Sequence, residues 1–167
     1  MEGSEGIAAP HDDQEFPADP YPGVAPGFSF VHDDATSRRL LPDEEAGGGW
    51  RVDGFAVDAW LAACGAAPLA GRVPVLAYGS NACPSKITWL RTELGLPGPV
   101  VALRATVRGM AAVWAAGRRA RDGARPATLA LDVAPGGSGG TPLTLDVSGA
   151  PRSIGRGPGR VAAVAHR

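Results

Sequence analysis

The chain has 167 residues, about the length of one ordinary domain. Its 24 glycines and 16 prolines approach the composition of low-complexity chains, yet 44% of its residues are hydrophobic, which is enough for a core. The formal net charge of −1 hides an asymmetry, because residues 1–58 carry 13 acidic and 3 basic side chains and residues 59–167 carry 4 acidic and 13 basic ones. Such a division fits an acidic arm, a basic binding surface, or an arm folded over a basic body.

The same features exclude several classes of protein. No apolar run approaches the roughly 18 residues of a membrane-spanning helix, and the acidic first residues lack the positive charge and apolar stretch of a signal peptide. Two cysteines, Cys64 and Cys83, are too few for a disulfide scaffold. The histidines (His11, His32 and His166) lack zinc-ligand spacing. We therefore expect a cytoplasmic protein with no membrane partner and no metal.

Residues 1–49 are predicted to form an acidic, Pro/Gly-rich arm that is mostly disordered. Five prolines fall within residues 10–26, and no helical or strand period is visible there. The apolar run 28–31 fits a short strand, and a charged, turn-like segment follows it as far as the glycines at 47–49. Order is expected to begin near Trp50.

The first elements expected after this arm are a helix and a strand. Residues 55–64 place apolar side chains near one helical face, with Asp53 as the capping residue and Gly65 as the stop. The apolar run 73–78 lies between two glycines and begins near a proline, which is tolerated at the start of a strand. This run predicts a buried strand.

Residues 84–94 carry the clearest helical pattern in the chain. Pro84 suits the first turn of a helix, where its missing N–H has no intrahelical partner to lose. Ile87, Leu90 and Leu94 recur on one face, and a glycine follows at the end. The local order is therefore strand, glycine loop, helix.

Three further apolar runs set the expected fold class. Residues 100–107 and 111–115 flank Gly109, which fits adjacent strands or a hairpin with a bulge, and residues 127–133 predict another strand. The sequence thus predicts an α+β core over residues 50–133 with mostly antiparallel strands.

Residues 134–167 are predicted to form a disordered Gly/Pro/Arg-rich tail. They open with a linker-like glycine run and contain no aromatic residue, so they have little apolar surface to offset the entropy of folding. The Arg/Gly pattern near the end lacks the aromatic side chains that stack on bases, and we expect no nucleic-acid partner. A natural tail and a frameshifted end both remain open.

The most informative stretch, Tyr78-Gly79-Ser80-Asn81, joins the predicted strand to the helix. The first N–H groups of a helix have no intrahelical partner, and with the helix dipole they favour an anion such as a carboxylate or phosphate. Gly79 allows close approach of a ligand, Ser80 and Asn81 add donors, and Tyr78 adds an aromatic wall. The same residues make ordinary turns and caps, so chemistry alone leaves both interpretations open.

In this context the four residues resemble the signature of the gamma-glutamylcyclotransferase-like family. The runs at 100–107 and around Val113-Trp114 fit the family's next strands, so the resemblance covers about residues 73–131. It implies a small, mostly antiparallel β-barrel with flanking helices, here incomplete. It also implies that the loop binds a small gamma-glutamyl or related amide substrate. In that family the substrate's α-amine attacks its own γ-carbonyl, which releases 5-oxoproline and an amine without a cofactor.

The chain departs from the family where a catalytic glutamate is expected, downstream of the strands. The last glutamate is Glu93, directly after the loop, and the acids that follow it (Asp122, Asp132 and Asp146) stand in no matching motif. Asp122 is most simply a turn residue. No catalytic residue is therefore assigned, and two alternatives stay open: a cyclising enzyme, or a non-catalytic small-molecule or protein binding module that has kept the loop.

Other reactive or charged groups have simpler expected roles. Cys83 precedes a helix, whose dipole lowers a thiol's pKa, but the sequence places no base beside it, and we expect a buried or bystander thiol. The arginines within residues 118–125 would suit phosphate or an acidic partner, yet a solvated hairpin tip is the simpler expectation. We expect the four tryptophans in the core, namely Trp50, Trp60, Trp89 and Trp114.

Overall fold

The computed structural model describes residues 8–107, 110–120, 122–131 and 143–148. The strands are β1 (His11–Asp12), β2 (Phe30–Asp33), β3 (Thr36–Arg39), β4 (Leu41–Pro42), β5 (Trp50–Val52), β6 (Phe55–Ala56), β7 (Val75–Ala77), β8 (Val100–Val107), β9 (Met110–Trp114), β10 (Ala127–Leu131) and β11 (Leu143–Ser148). The helices are α1 (Val57–Ala63) and α2 (Pro84–Leu94), with 3-10 turns at Asp13–Glu15, Gly47–Gly49, Leu69–Gly71 and Ser80–Ala82.

The strands form three sheets, and every pairing among the described residues is antiparallel. The largest sheet has the order β1-β3-β2-β8-β11-β7. Strands β9 and β10 form a second sheet, and β4, β5 and β6 form a third. Helices together with antiparallel sheets confirm the predicted α+β class.

Strand β2 and the start of β8 are buried on both faces. Val31 pairs with Val101, and both belong to an apolar cluster with Leu61 of α1. Phe30 belongs to a second cluster, which includes Ile87 of α2. Because successive side chains of a strand point to opposite faces, the helices cover opposite faces of the sheet. This arrangement explains why the start of β8 is continuously apolar rather than alternating.

Helix α1 is shorter than predicted and begins differently. Phe55–Ala56 forms β6, and the helix starts directly after it. Asp53, expected to cap the helix, has a φ of +50° before β6, and no side chain caps α1. The Asp58 carboxylate instead accepts a hydrogen bond of 2.8 Å from the Leu69 N–H. Gly65, with a φ of +68°, follows the helix end as predicted.

Helix α2 has the predicted bounds, Pro84–Leu94, with Pro84 in its first turn. Gly95 follows in the left-handed conformation, with a φ of +67°. Of the predicted apolar face, Ile87 is buried, whereas Leu94 is 69% exposed. The buried residues of the helix are Pro84 and Ile87, so the apolar face is buried only near the start of the helix.

Residues 8–49 contain strands β1 to β4, where the sequence predicts a mostly disordered arm. Strands β2 and β3 lie inside the largest sheet, and Phe30, Val31 and His32 are fully buried. Residues 13–24, called the strap below, cross the start of α2. These segments are held by contacts with distant parts of the chain. Such contacts produce no periodic hydrophobic pattern in the local sequence, so the sequence did not predict them. The first seven residues of the predicted arm lie outside the described part.

The predicted tail, residues 134–167, also contains a strand where disorder was expected. Strand β11 pairs with β8 on one side and with β7 on the other. The rest of that tail lies outside the described residues.

Strand β9 pairs with β10, with Trp114 opposite Ala127 and Met110 opposite Leu131. The expected hairpin between β8 and β9 is replaced in the described residues by pairing of β8 with β2 and β11. The predicted bulge at Gly109 lies outside them. In the part of the chain described, no helix has the length and apolar character to cross a membrane.

Candidate functional site

The loop from Tyr78 to Asn81 connects β7 to α2, as the sequence predicts. The 3-10 turn Ser80–Ala82 lies inside this connection and leads into the helix. Tyr78 is 39% exposed and Asn81 is exposed, whereas Gly79 and Ser80 are half-buried. The loop therefore lies at the surface, next to the first turn of α2.

The strap occupies the first turn of α2. The Ser85 hydroxyl lies 2.7 Å from the carbonyl oxygens of both Asp13 and Phe16, which share its single proton as acceptors. The Cys83 thiol donates to the same Phe16 carbonyl over 3.2 Å. This carbonyl brings partial negative charge to the helix start, which is the kind of group that this end of a helix favours. The chain's own backbone therefore engages the side chains at the helix start.

Tyr21 connects the strap to the loop and to the β9–β10 hairpin. Its phenol oxygen is so near Gly79 that a Cβ there would lie 3.1 Å from it. The same oxygen accepts a hydrogen bond of 3.3 Å from the Ala127 N–H. The Arg119 guanidinium stacks on the Tyr21 ring, 4.1 Å from its centroid, and the Trp114 centroid lies 6.3 Å away. The small size of Gly79 therefore serves the approach of Tyr21.

A cavity of about 610 Å³ opens between the strap, α2 and the β9–β10 hairpin. This volume lies within the roughly 300–1,000 Å³ of small-molecule sites. Its walls combine aromatic, basic, acidic and hydroxyl side chains, which are Tyr21, Trp89, Trp114, Lys86, Arg119, Arg125, Asp19, Asp122, Ser80 and Ser85.

Two tryptophans expected in the core line this cavity instead. Trp89 is 42% exposed and Trp114 is 57% exposed. The prediction of a core position is wrong for both, because α2 and β9 present them to the cavity rather than to the sheet. Trp50 and Trp60 do pack against the core cluster that includes α1.

The arginine-rich turn contributes cations to the cavity, so it is more than the solvated tip that was expected. Arg119 forms an ion pair of 2.8 Å with Asp122. Arg125 is exposed and makes no hydrogen bond or ion pair with any residue that the structure describes. On the opposite wall, the Lys86 ammonium lies 3.0 Å from the centroid of the Trp89 ring. Arg125 is thus the basic side chain most available to an incoming anion.

Two carboxylates line the cavity, and their surroundings differ. Asp122 accepts hydrogen bonds from Arg119 and from the Ala124 N–H at 3.1 Å, which is the turn role predicted for it. Asp19, in the strap, is exposed and has no hydrogen-bond or ion-pair partner in the described part of the chain. The N-terminal segment therefore supplies a carboxylate to the site.

Of the four loop residues singled out by the sequence, Ser80 is the one that lines the cavity. Gly79 contacts Tyr21, and Tyr78 and Asn81 are not part of the lining. Sequence reasoning missed Asp19 and Tyr21, because a proline-rich segment carries no period that predicts its position. The sequence feature that could have indicated a role for this segment was an aromatic side chain among polar residues.

Cys83 and His32 lie under the strap, outside the cavity lining. His32 Nε2 lies 3.0 Å from Asp13 Oδ1 and 3.2 Å from the Thr88 hydroxyl. Burial lowers the pKa of His32, although the hydrogen bond to Asp13 opposes that shift. Burial raises the pKa of the Cys83 thiol, although backbone N–H groups, first that of Lys86, oppose it. The structure confirms the expectation of a buried thiol.

Comparison of the chain with protein-family models, with curated proteins and with solved structures gives no match. The resemblance to the gamma-glutamylcyclotransferase-like family therefore rests on the motif and its surrounding elements. Among the described residues, no group of three or more His, Cys, Asp or Glu side chains is placed to hold a metal ion.

Proposed function

We propose that the cavity beside Ser80 binds a small gamma-glutamyl or related amide compound and that the protein cyclises it to 5-oxoproline with release of an amine. The fold proposed with it is the small barrel of the gamma-glutamylcyclotransferase-like family. The observation that carries this proposal is that Ser80 of the loop lines a cavity that also holds carboxylate and guanidinium groups. A gamma-glutamyl group carries an α-ammonium and an α-carboxylate, and it needs partners of both charges.

In the proposed reaction, Asp19 is the proton acceptor. The α-ammonium of the substrate gives a proton to the Asp19 carboxylate, and the freed amine nitrogen attacks the γ-carbonyl carbon. The bond from that carbon to the leaving nitrogen then breaks as Asp19 returns its proton to that nitrogen and the carbonyl forms again. The ring nitrogen passes its second proton to the departing amine, which leaves as an ammonium ion. Asp19 is preferred to Asp122 because Asp122 already accepts from Arg119 and from a turn N–H.

The Ser80 hydroxyl is proposed to donate to the substrate. Ser80 is half-buried and begins the 3-10 turn that leads into α2. Because backbone and side chains of the strap hold the start of α2, the loop is fixed before a ligand arrives. A fixed donor loses little entropy on binding, which favours affinity.

The test is the release of 5-oxoproline from gamma-glutamyl-alanine by the purified chain. We expect turnover by the wild type, a loss of about 10²-fold or more in Asp19→Asn, and weaker substrate binding in Ser80→Ala. Asp12→Asn is a matched control, because Asp12 is an exposed acid outside the cavity lining, and it should retain turnover. Unchanged turnover in Asp19→Asn would remove Asp19 from the mechanism.

A non-catalytic binding module is the second candidate. The observation that favours it is the cavity lining, which includes no glutamate among the described residues, whereas the family uses one. This candidate predicts that gamma-glutamyl-alanine raises the melting temperature of the chain while no 5-oxoproline forms. Turnover by the wild type that is lost in Asp19→Asn excludes it.

A further inference from the structure

We propose that the amine half of the ligand is an aromatic amino acid, so that the compound bound is its gamma-glutamyl conjugate. This inference rests on the proposed function and names its substrate class. Two features of the cavity carry it: aromatic walls that are open to the solvent, and a guanidinium that is open to an anion.

The aromatic walls are Trp89 on α2 and Trp114 on β9. Both line the cavity, and both keep a large exposed surface, 42% and 57% of each residue. Tyr21 stands 6.3 Å from Trp114, with the ring planes inclined at 57°. Aromatic rings attract one another in tilted and offset arrangements at such distances. A ligand ring that enters the cavity therefore finds further aromatic surface to pack on.

The guanidinium is that of Arg125. It lines the same cavity, and it has no hydrogen-bond or ion-pair partner in the described part of the chain. Arg119, by contrast, is committed to Asp122 and to the Tyr21 ring. A guanidinium binds a carboxylate through two parallel hydrogen bonds. The cavity therefore offers a carboxylate site beside the aromatic walls.

One chemical group places a ring and a carboxylate next to each other and also offers a nitrogen for the gamma-glutamyl bond: an aromatic α-amino acid. In this arrangement the gamma-glutamyl end lies toward Ser80 and Asp19. The ring lies toward Trp89 and Trp114, and its carboxylate lies toward Arg125. The α-carboxylate of the gamma-glutamyl end lies toward Arg119, whose guanidinium has N–H donors beyond those it gives to Asp122. Arg125 is then left for the carboxylate of the amino acid.

The test compares dissociation constants of four compounds by calorimetry with the full chain. They are gamma-glutamyl-phenylalanine, gamma-glutamyl-alanine, gamma-glutamyl-phenethylamide, which lacks the carboxylate of the amino acid, and N-acetyl-phenylalanine, which lacks the gamma-glutamyl group. Because the wild type is proposed to cyclise the gamma-glutamyl compounds, the titrations use the wild-type chain at low temperature, where turnover is slow, and 5-oxoproline is assayed in each sample afterwards. We expect gamma-glutamyl-phenylalanine to bind at least about tenfold more tightly than each of the other three.

Substitutions in the cavity separate the two features. Trp114→Leu and Trp89→Leu should weaken both ring-bearing gamma-glutamyl compounds and leave gamma-glutamyl-alanine unchanged. Arg125→Gln should weaken the three compounds that carry the carboxylate of the amino acid and leave the phenethylamide unchanged. The matched controls are Phe55→Leu, an aromatic side chain that is 63% exposed outside the lining, and Arg118→Gln, a neighbouring arginine outside it.

The outcomes distinguish failure of this inference from failure of the proposed function. Equal affinity for the alanine and phenylalanine conjugates overturns the aromatic assignment and leaves gamma-glutamyl binding in place. Equal affinity for N-acetyl-phenylalanine and gamma-glutamyl-phenylalanine overturns the proposed function, because the gamma-glutamyl group then contributes nothing. Absence of binding by all four compounds overturns both.

Discussion

Tyr21 shows how much of the site depends on a single side chain from an unexpected part of the chain. Its phenol oxygen lies against Gly79 and accepts a hydrogen bond from the Ala127 N–H, and the Arg119 guanidinium stacks on its ring. The types and order of residues 78–81 are enough to predict a candidate binding loop. It could not place Tyr21, because the contact with Ala127 joins positions 106 apart in the chain.

Cys83 yields a prediction about thiol reactivity. Cys83 is 1% exposed, and its burial raises the pKa of the thiol, so little reactive thiolate forms at neutral pH. Cys64 is exposed, although desolvation also raises its pKa. We expect a colorimetric disulfide reagent to modify one thiol in the native chain and both in denaturant. In Cys64→Ser the native reaction should disappear, and rapid modification of that variant would contradict the buried position of Cys83.

His32 yields a prediction about stability against pH. Because burial lowers the pKa of His32 in the folded state, the unfolded chain binds the proton first as the pH falls. This contribution to stability is therefore present above about pH 6.5, the ordinary histidine pKa, and is lost as the pH falls toward the folded value. The charged groups facing His32 are Asp13, which raises its pKa, Arg91, which lowers it, and Asp33, which raises it.

The measurement is chemical denaturation of the wild type and of His32→Gln at several values between about pH 5 and pH 7.5. We expect the free energy of unfolding of the wild type to fall toward acid, and the variant to fall less steeply. Identical slopes in the two chains would show that another group controls the acid sensitivity.

At the scale of elements, local signals predicted helices well and the strap not at all. Pro84 and Gly95 bound α2, because a proline suits a first turn and a glycine adopts the left-handed end. The strap has no such period, and its hydrogen bonds reach Cys83 and Ser85 across some 70 positions. Strand β11 does alternate in sequence, but the glycine-rich residues on either side obscured it.

The strap's fit on α2 can be tested at Gly23. Gly23 has a φ of +84°, and a Cβ there would lie 2.9 Å from Cys83 Sγ and 3.0 Å from the Ala18 backbone. Gly54 has nearly the same φ, +83°, but nothing within 4 Å of its Cβ position. Gly54→Ala therefore reports the cost of the backbone conformation alone, about 1 kcal/mol, whereas Gly23→Ala adds the clash with the helix start.

We expect Gly23→Ala to lower the free energy of unfolding by about 1–3 kcal/mol more than Gly54→Ala does. Denaturant titration of both variants beside the wild type measures the difference. Equal losses in the two variants would mean that the strap does not pack on α2 as described.

At the scale of the whole molecule, the acidic part of the sequence, within residues 1–58, contacts the basic part, residues 59–167. The acidic N-terminal third supplies β2 and β3 to the main sheet, and Asp33 lies 3.8 Å from Arg91 of α2. Of the three interpretations open from the sequence, the described residues show the acidic segment folded against the basic remainder. The net charges alone could not decide this, because surface charge does not specify a fold.

Substitution of Phe30 tests whether the N-terminal third contributes to the core. Phe30 is fully buried against α2, whereas Phe55 is 63% exposed at β6. Truncation of a buried phenylalanine costs about 3–5 kcal/mol, and truncation of an exposed one costs within about 0.5 kcal/mol. We expect these losses for Phe30→Ala and Phe55→Ala in thermal or denaturant unfolding. A Phe30→Ala variant as stable as the wild type would place residue 30 outside the core.

The central claim is that one cavity between strap, helix and hairpin binds the ligand, and the four tryptophans provide a direct test. In a ¹H–¹⁵N spectrum of the chain, titration with gamma-glutamyl-phenylalanine should shift the indole signals of Trp89 and Trp114, which line the cavity. The indoles of Trp50 and Trp60, which pack against the core, should stay in place. Unmoved signals for Trp89 and Trp114, or shifts confined to Trp50 and Trp60, would contradict the account.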